Sequence, residues 1–311
     1  MRNKYAMVFP GQGSQKIGML RELASNYSLI EKTFNEASAA LDYDLWDLVQ
    51  NGPEDKLNRT EFAQPALLAA GVAVWRIWCS KNKSMPSFLA GHSLGEYTAL
   101  VSGSALDFKT AIGLVRDRGR FMQNAYSGNG AMVAIVGLDN MTISKICDDA
   151  RCNDVLVVSN YNSLDQLVLS GTLSAVERAV EIAKKLHAKI VKILPISIPS
   201  HCVLMKPAAL KLAKLLQQTI INVPKIPIIH NANVIFYDDP QKIRNILVEQ
   251  LSSPVRWVET IQFMVTNGVK CVLECGPGNV LTGLNKRIDD KLIVDFIGES
   301  LKIDNKLPLC V

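Results

Sequence analysis

The segment AGHSLGEYTAL, residues 90–100, places one serine between two glycines in the spacing G-x-S-x-G. A serine hydroxyl becomes a nucleophile when a base takes its proton and N–H donors stabilise the oxyanion that forms. With average glycine and serine usage, the triplet arises by chance in roughly one chain in ten of this length. Ser93 is therefore a candidate nucleophile, and the rest of the chain has to support it.

The residues around Ser93 predict the backbone shape that this chemistry needs. SFLAG before it has the pattern of a short buried strand, and LGEYTALVSG after it has helical apolar spacing. Strand, tight turn and helix form the elbow in which a G-x-S-x-G serine acts. The N–H of Leu94 would then face the developing charge, and Gln12, in the loop after the first strand, is the candidate for a second donor.

A base for Ser93 has to come from one of four histidines. His92 is adjacent to the serine on a sharp turn, His187 lies on the polar side of a predicted helix, and His230 ends a buried strand; we interpret these three as structural. His201, in SIPSHCVLMKPA, lies where the chain re-enters the larger α/β part, so we expect it at the cleft as the base. Since no acidic partner is identified for it, we expect an ordinary imidazole pKa of about 6.5.

One arginine lies in the middle of an apolar helix face. In DFKTAIGLVRDRGRFMQNA, a turn of ~100° per residue places Arg118 among the apolar side chains, while Arg116 and Arg120 fall on the opposite face. A buried guanidinium needs an anion. The anion is either an internal Asp or Glu, or a substrate carboxylate held by both arms of the guanidinium, and the helical pattern leaves both possibilities open.

The order of predicted elements indicates an α/β fold with a mainly parallel sheet, similar to that of hydrolases. Residues 126–197 follow the order β-α-β-β-α-β, which is that of a ferredoxin-like unit. We therefore expect a discontinuous large domain, residues 1–125 and 198–311, with a small ferredoxin-like domain, 126–197, inserted into it. The cleft between the two is the expected ligand site.

The composition excludes several other classes of protein. The chain has 311 residues, 48% hydrophobic and 20% charged, with a net charge of +5. Its lysines are scattered, which does not favour nucleic-acid binding, and its most apolar stretch, 66–75, is too short to span a membrane. Cys271 and Cys275 would lie about 13 Å apart on a strand, so we expect no metal site. With no signal-peptide pattern at the N-terminus, we expect a soluble cytoplasmic protein.

Six motifs, taken together, resemble those of the malonyl-CoA:acyl carrier protein transacylases. They occur in the family's order and spacing over essentially the whole chain, and their joint match is much more specific than G-x-S-x-G alone. The motifs are FPGQGSQ, GHSLGEYTAL, RDRGRFMQ, PSHCVLMKPA, VEQLSSPVRW and ECGPGNVLTGLNKRI.

The resemblance implies a serine–histidine dyad without a carboxylate. Ser93 would be the acylated nucleophile and His201 its base, while the N–H groups of Gln12 and Leu94 would bind the oxyanion. A backbone carbonyl orients the histidine in this family, and the matching position is Gln250, near the end of a predicted helix. Terminal carbonyls of a helix lack intrahelical partners, so one is free to accept the imidazole N–H.

The resemblance also assigns Arg118 to the malonyl carboxylate and Asn162 to the pocket. Here the chain departs from the family pattern N-x-N-S-P-G-Q, because it reads NYNSLDQ, with Leu164 and Asp165 in place of proline and glycine. The shape of this loop is therefore not predicted by the resemblance.

The implied activity is transfer of a malonyl group from malonyl-CoA to the phosphopantetheine thiol of acyl carrier protein, in fatty-acid biosynthesis. We expect no cofactor, no nucleic-acid or membrane partner, and a monomer. The alternatives are a discrete polyketide-synthase acyltransferase and a serine thioesterase or hydrolase. A hydrolase would leave Arg118 without a purpose, and a non-catalytic homologue would have lost Ser93 or His201.

Overall fold

The computed structural model describes residues 4–196 and 198–298, and these form two separate β-sheets covered by helices. The strands, in chain order, are β1 (Lys4–Phe9), β2 (Phe88–Gly91), β3 (Gly130–Val136), β4 (Leu156–Ser163), β5 (Gln166–Thr172), β6 (Ile190–Ile193), β7 (Ile228–Ile229), β8 (Val269–Glu274) and β9 (Ile293–Phe296). The helices are α1 (Arg21–Asn26), α2 (Leu29–Ser38), α3 (Leu45–Asn51), α4 (Glu54–Asn58), α5 (Thr60–Lys81), α6 (Gly95–Ser102), α7 (Phe108–Gln123), α8 (Asn140–Arg151), α9 (Leu173–Lys185), α10 (Lys206–Gln218), α11 (Pro240–Gln250), α12 (Trp257–Thr266) and α13 (Val280–Ile288).

The first sheet has the strand order β7-β2-β1-β8-β9, and every neighbouring pair is parallel. Its central strand, β1, is buried from Tyr5 to Phe9, as expected for a strand covered by helices on both faces. Because parallel strands end at one edge of a sheet, the loops after β1 and β2 lie side by side. These are the loops that carry Gln12 and Ser93.

The second sheet is antiparallel, with the order β4-β5-β3-β6. Helices α8 and α9 cover one of its faces and form a hydrophobic core with it that is separate from the core of the first sheet. This is the ferredoxin-like arrangement, so the predicted fold class, a mainly parallel α/β sheet with an inserted ferredoxin-like unit, is confirmed.

Two long helices, α5 and α7, pack against each other in the core of the larger part. Helix α5 is long and apolar enough to cross a membrane by length and composition, but 83% of its most apolar window is buried inside the protein. Asp107 is the N-cap of α7, and its side chain accepts a hydrogen bond from the N–H of Thr110. The apolar face of α7, with Ala111, Leu114 and Val115, is buried, and this burial carries Arg118 into the interior.

Candidate active site

A cavity of about 240 Å³ lies between the carboxyl ends of β1 and β2 and the antiparallel sheet. Both sheets and the loops between them contribute to its walls. The predicted site residues that line it are Gln12, Ser93, Leu94, Arg118, Asn162 and His201. Gln250 is not part of the cavity wall, but it forms hydrogen bonds with Ser93, Arg118 and His201.

Ser93 lies at the tight turn between β2 and α6, as the sequence predicts. Its φ angle is 51°, in the left-handed region. A Cβ atom on Gly91 would lie 1.8 Å from the carbonyl carbon of Gly95, and one on Gly95 would lie 2.1 Å from the carbonyl oxygen of Phe9. The two glycines are therefore required for the close approach of strand and helix. Asn231 also fixes the turn, because its Oδ1 accepts the N–H of Ser93 at 2.7 Å.

His201 is buried beside the serine. Its Nε2 lies 2.8 Å from Ser93 Oγ, and its Nδ1 lies 2.9 Å from the carbonyl oxygen of Gln250 and 3.1 Å from that of Ser253. Because carbonyl oxygens only accept hydrogen bonds, Nδ1 carries the proton and Nε2 is free to accept from the serine hydroxyl. His201 also has a positive φ, 61°.

The surroundings of His201 favour its neutral form. Burial, and secondly the nearby charge of Arg118, lower the pKa of His201 to about 3. Both effects disfavour a second positive charge in the pocket. The expectation of an ordinary pKa is therefore wrong, because the sequence does not reveal how completely the ring is removed from water.

Gln12 and Leu94 both line the same cavity as Ser93. Leu94 is the residue before the first turn of α6, where N–H groups have no intrahelical acceptor. Gln12 is held by its side chain, which donates to Thr60 Oγ1 at 3.2 Å. In the described part of the chain, neither backbone N–H donates to a protein acceptor. Their use as oxyanion donors stays a prediction.

Arg118 is 1% exposed, and its side chain reaches Ser93. One terminal nitrogen donates to Gln64 Oε1 at 2.8 Å, and the other donates to Gln250 Oε1 at 2.9 Å and lies 3.4 Å from Ser93 Oγ. The guanidinium also lies over the ring of Tyr97, 5.3 Å from its centroid.

The partners of Arg118 are neutral. No carboxylate of residues 4–196 or 198–298 lies within 4.0 Å of its guanidinium, and its Nε is buried without a hydrogen-bond partner. Burial lowers the pKa of Arg118, while Tyr97 and Glu96 act in the opposite direction. Of the two possibilities that the sequence leaves open, a directly paired internal acid is therefore wrong.

Asn162 lies on β4 and faces the elbow across the cavity. Its Oδ1 lies 2.9 Å from Nε2 of His92. His92, interpreted from the sequence as structural, thus links the serine turn to the antiparallel sheet. Burial lowers the pKa of His92, so a neutral ring that donates to Asn162 fits the pair.

The unusual residues Leu164 and Asp165 form the turn between β4 and β5. The carbonyl of Asp165 accepts the N–H of Gly137 at 2.8 Å, and its side chain accepts from Ser163 Oγ at 2.7 Å. Arg287 of α13 approaches the Asp165 carboxylate to 3.8 Å. The turn is therefore held by its own contacts, and Leu164 is 57% exposed.

The sequence reasoning missed a group of buried polar residues behind the elbow. Gln64 binds Arg118, while Glu96 and Asn231 bind the backbone and side chains around Ser93. The sequence offers only weak signals for them: Gln64 is a glutamine on the apolar helix α5, and Glu96 is a glutamate on α6, three residues after the nucleophile. Among the described residues, no group of three or more His, Cys, Asp or Glu side chains could hold a metal ion.

Comparisons with known proteins match nearly the whole chain. The acyl transferase domain model matches residues 6–290. The chain is 49% identical over 297 residues to the malonyl CoA-acyl carrier protein transacylase of Salmonella typhimurium, covering 95% of this chain and 96% of that protein. The transacylase structure from Coxiella burnetii has 48% identity and a TM-score of 0.95, with 97% of this chain and 96% of that chain covered.

Another solved structure similar to this chain is a type II polyketide-synthase acyl-carrier protein in complex with its malonyl-transacylase. It has 49% identity and a TM-score of 0.95, and the match covers 96% of this chain and 97% of that one. From the serine elbow, the buried arginine and these similarities over nearly the full length, we conclude that the chain belongs to the malonyl-CoA–acyl carrier protein transacylases of the acyl transferase family.

Proposed function

We propose that this protein transfers the malonyl group of malonyl-CoA to the phosphopantetheine thiol of an acyl carrier protein through a malonyl ester on Ser93. The observation that carries the proposal is the position of one hydroxyl between two different basic groups. Ser93 Oγ lies 2.8 Å from His201 Nε2 and 3.4 Å from Arg118 in one buried cavity. A nucleophile, its base and a cation for the acyl carboxylate are thus within reach of one substrate.

In the first half-reaction, neutral His201 takes the hydroxyl proton of Ser93 as Oγ attacks the thioester carbonyl carbon. The carbonyl oxygen becomes an oxyanion, which the N–H groups of Gln12 and Leu94 stabilise. When the tetrahedral intermediate collapses, the C–S bond breaks, and the CoA sulfur leaves with the proton from His201. The products are free CoA and malonyl-serine.

The second half-reaction uses the same groups in the opposite direction. His201 takes the proton of the carrier-protein thiol, and the sulfur attacks the malonyl ester. The C–O bond then breaks, and Ser93 recovers its proton from His201. The Nδ1–H of His201 stays bound to main-chain carbonyls throughout, and neither step uses a metal or cofactor.

Arg118 is assigned to the free carboxylate of the malonyl group. A guanidinium whose hydrogen-bond partners are two amides and a hydroxyl retains its full charge in a water-poor site. A carboxylate satisfies that charge, whereas an acetyl group leaves it unpaired. This asymmetry supports selection of malonyl over acetyl thioesters. Asn162, held by His92, is assigned to the opposite wall of the acyl pocket.

The setting that we propose is fatty-acid biosynthesis in the cytoplasm. The names of the relatives given above state that they act on malonyl-CoA and acyl carrier protein. One structural neighbour is bound to a polyketide-synthase carrier protein. A discrete acyltransferase of a polyketide synthase is therefore the second candidate.

We also propose that residues 126–197 form a small domain inserted between 1–125 and 198–311. The separate hydrophobic core of the antiparallel sheet supports this division.

A covalent intermediate is the direct test. Protein mixed with malonyl-CoA, without carrier protein, should gain the mass of one malonyl group, located on the peptide that contains Ser93. The Ser93→Ala variant should gain none. An adduct that survives Ser93→Ala, or one on Cys202, would refute the assignment.

A transfer assay with labelled malonyl-CoA and holo-carrier protein separates transferase from hydrolase. The label should move to the carrier protein, with little free malonate. Free malonate as the main product, formed at a rate independent of carrier protein, would identify a hydrolase instead.

A further inference from the structure

A buried carboxylate lies directly behind the nucleophile. Glu96, three residues after Ser93 on α6, is 0% exposed. Its Oε1 lies 2.6 Å from Nδ1 of His230, and its Oε2 accepts the N–H of Asn231 at 3.0 Å and Nε2–H of Gln250 at 2.8 Å. Three donors thus converge on one side chain, which is the environment of an ionised carboxylate. The reaction steps above do not use it.

The side chain of Gln250 connects this carboxylate to Arg118. Its Nε2 donates to Glu96 and, at 3.0 Å, to the carbonyl oxygen of Ser93. Its Oε1 accepts from Arg118 at 2.9 Å. Carboxylate and carbonyl oxygens only accept and a guanidinium only donates, so this orientation of the amide is the one that satisfies all partners. A negative and a positive side chain are therefore separated by a single amide.

The neighbouring histidine does not neutralise Glu96. The Nδ1 of His230 must carry a proton to bind the carboxylate. In the described structure, the Nε2 of His230 is buried and has no partner, so a second proton on the ring would have no acceptor. A neutral ring that donates from Nδ1 fits this environment, and Glu96 then keeps its full negative charge.

We infer that Glu96 is a positioning residue that balances the charge of Arg118 through the Gln250 amide and thereby weakens the grip of Arg118 on the malonyl carboxylate. The inference rests on the proposed role of Arg118. Two anions that share one cation oppose each other's binding, since like charges repel at this range. Glu96 would thus keep the guanidinium oriented in the empty site and allow the malonyl group to be passed on.

The test is a charge removal that preserves hydrogen bonds. In Glu96→Gln, the introduced amide oxygen can accept from Asn231 and Gln250. Its NH₂ group can donate to His230 only when the ring proton moves to the buried Nε2, so the variant keeps three hydrogen bonds at the cost of one unsatisfied donor. Dissociation constants of malonyl-CoA and acetyl-CoA are measured by calorimetry in a Ser93→Ala background, where no acyl transfer occurs. Malonyl-CoA should bind at least about threefold more tightly, since a nearby opposing charge is removed, and acetyl-CoA should bind equally well.

The sign of the change distinguishes this role from a structural one. The inference would be overturned if the Glu96→Gln variant bound malonyl-CoA more weakly or with an unchanged dissociation constant. It would also be overturned if the dissociation constants of both thioesters changed equally. A variant that does not fold by circular dichroism would overturn it as well, because Glu96 would then be a structural residue. Glu274→Gln is the matched control: Glu274 is equally buried but binds Thr282 instead of the Arg118 group, and its change should leave both constants unaltered.

An Arg118→Ala variant in the same background separates this inference from the proposed function. It should remove the preference for malonyl-CoA over acetyl-CoA. If the preference survives, the proposed carboxylate site fails. If Arg118→Ala removes the preference while Glu96→Gln changes nothing, only the inference about Glu96 fails.

Discussion

Two basic side chains lie next to the hydroxyl of Ser93, and they are held in different ways. His201 and Arg118 are both almost fully buried, and burial lowers the pKa of each. His201 is anchored by main-chain carbonyls. Arg118 is anchored by side-chain amides of Gln64 and Gln250.

This difference in anchoring means that the catalytic base and the carboxylate-selecting arginine depend on different parts of the sequence. Main-chain carbonyls are positioned by the fold and persist whatever side chain the residue carries, so the base depends little on the local sequence. Side-chain amides are lost with a single substitution, so the carboxylate site depends on a few exchangeable residues. Gln250 serves both sides, with its carbonyl on His201 and its amide on Arg118.

The largest effect is expected on the histidine side. His201→Ala should lower kcat/KM by ~10²–10⁴-fold for malonyl-CoA and acetyl-CoA alike, because general-base assistance is lost for any acyl group. The exposed His187 provides the control variant, which should retain full activity. A loss confined to malonyl-CoA would contradict the separation of the two sides.

On the arginine side, the effect should depend on the substrate. Arg118→Ala removes one partner of a buried ion pair that forms only with malonyl, so kcat/KM for malonyl-CoA should fall roughly 100-fold. For acetyl-CoA it should stay level or rise. Arg120→Ala, on the exposed face of the same helix, is the control, and circular dichroism confirms folding. Equal losses for both thioesters would make Arg118 a structural residue.

Gln250→Ala tests the residue that belongs to both sides. The carbonyl that binds His201 remains, whereas one hydrogen bond to the guanidinium disappears. We expect malonyl-CoA kcat/KM to fall about tenfold, as for a lost hydrogen bond to a charged group, and acetyl-CoA kcat/KM to fall much less. Gln64→Ala, which touches Arg118 but not His201, should behave similarly. A Gln250→Ala loss as large as that of His201→Ala for both substrates would show that the carbonyl had moved.

The smallest effect concerns pH. A base acts only when neutral, and the pKa of His201 lies at about 3. The acylation rate should therefore change less than about twofold between pH 8 and pH 5, because protonation begins only at lower pH. An imidazole with an ordinary pKa of about 6.5 would lose most of its activity over this range. Stopped-flow acylation with malonyl-CoA measures the profile, and a midpoint near 6.5 would contradict the effect of burial.

The sequence predicts the elements and the elbow well because their signals are local. Apolar spacing and two glycines suffice to place Ser93 between a strand and a helix, and the periodicity of one helix buries Arg118. The β-α-β-β-α-β order likewise predicts the second sheet. The positions of His201 and Gln250 relative to the serine are not local. His201 is selected by elimination among four histidines and by its expected place at the cleft, whereas Gln250 is assigned only by family resemblance.

The buried polar group could not be predicted in the same way. Glu96 meets His230 and Gln250, which are 134 and 154 residues away along the chain. Nothing in the periodicity of α6 distinguishes a glutamate with buried partners from one in solvent. The low pKa of His201 has the same origin, since burial results from tertiary packing that brings many segments together.

The left-handed backbone at both Ser93 and His201 has a consequence for protein engineering. A non-glycine residue in this region carries about 1–3 kcal/mol of strain, which glycine relieves. Silencing the enzyme with Ser93→Gly, instead of the usual alanine, should therefore give a protein that melts at a higher temperature than the Ser93→Ala form. Such a protein would be a robust, inert reagent for capturing carrier proteins, obtained by removing the side chain for which the turn is strained.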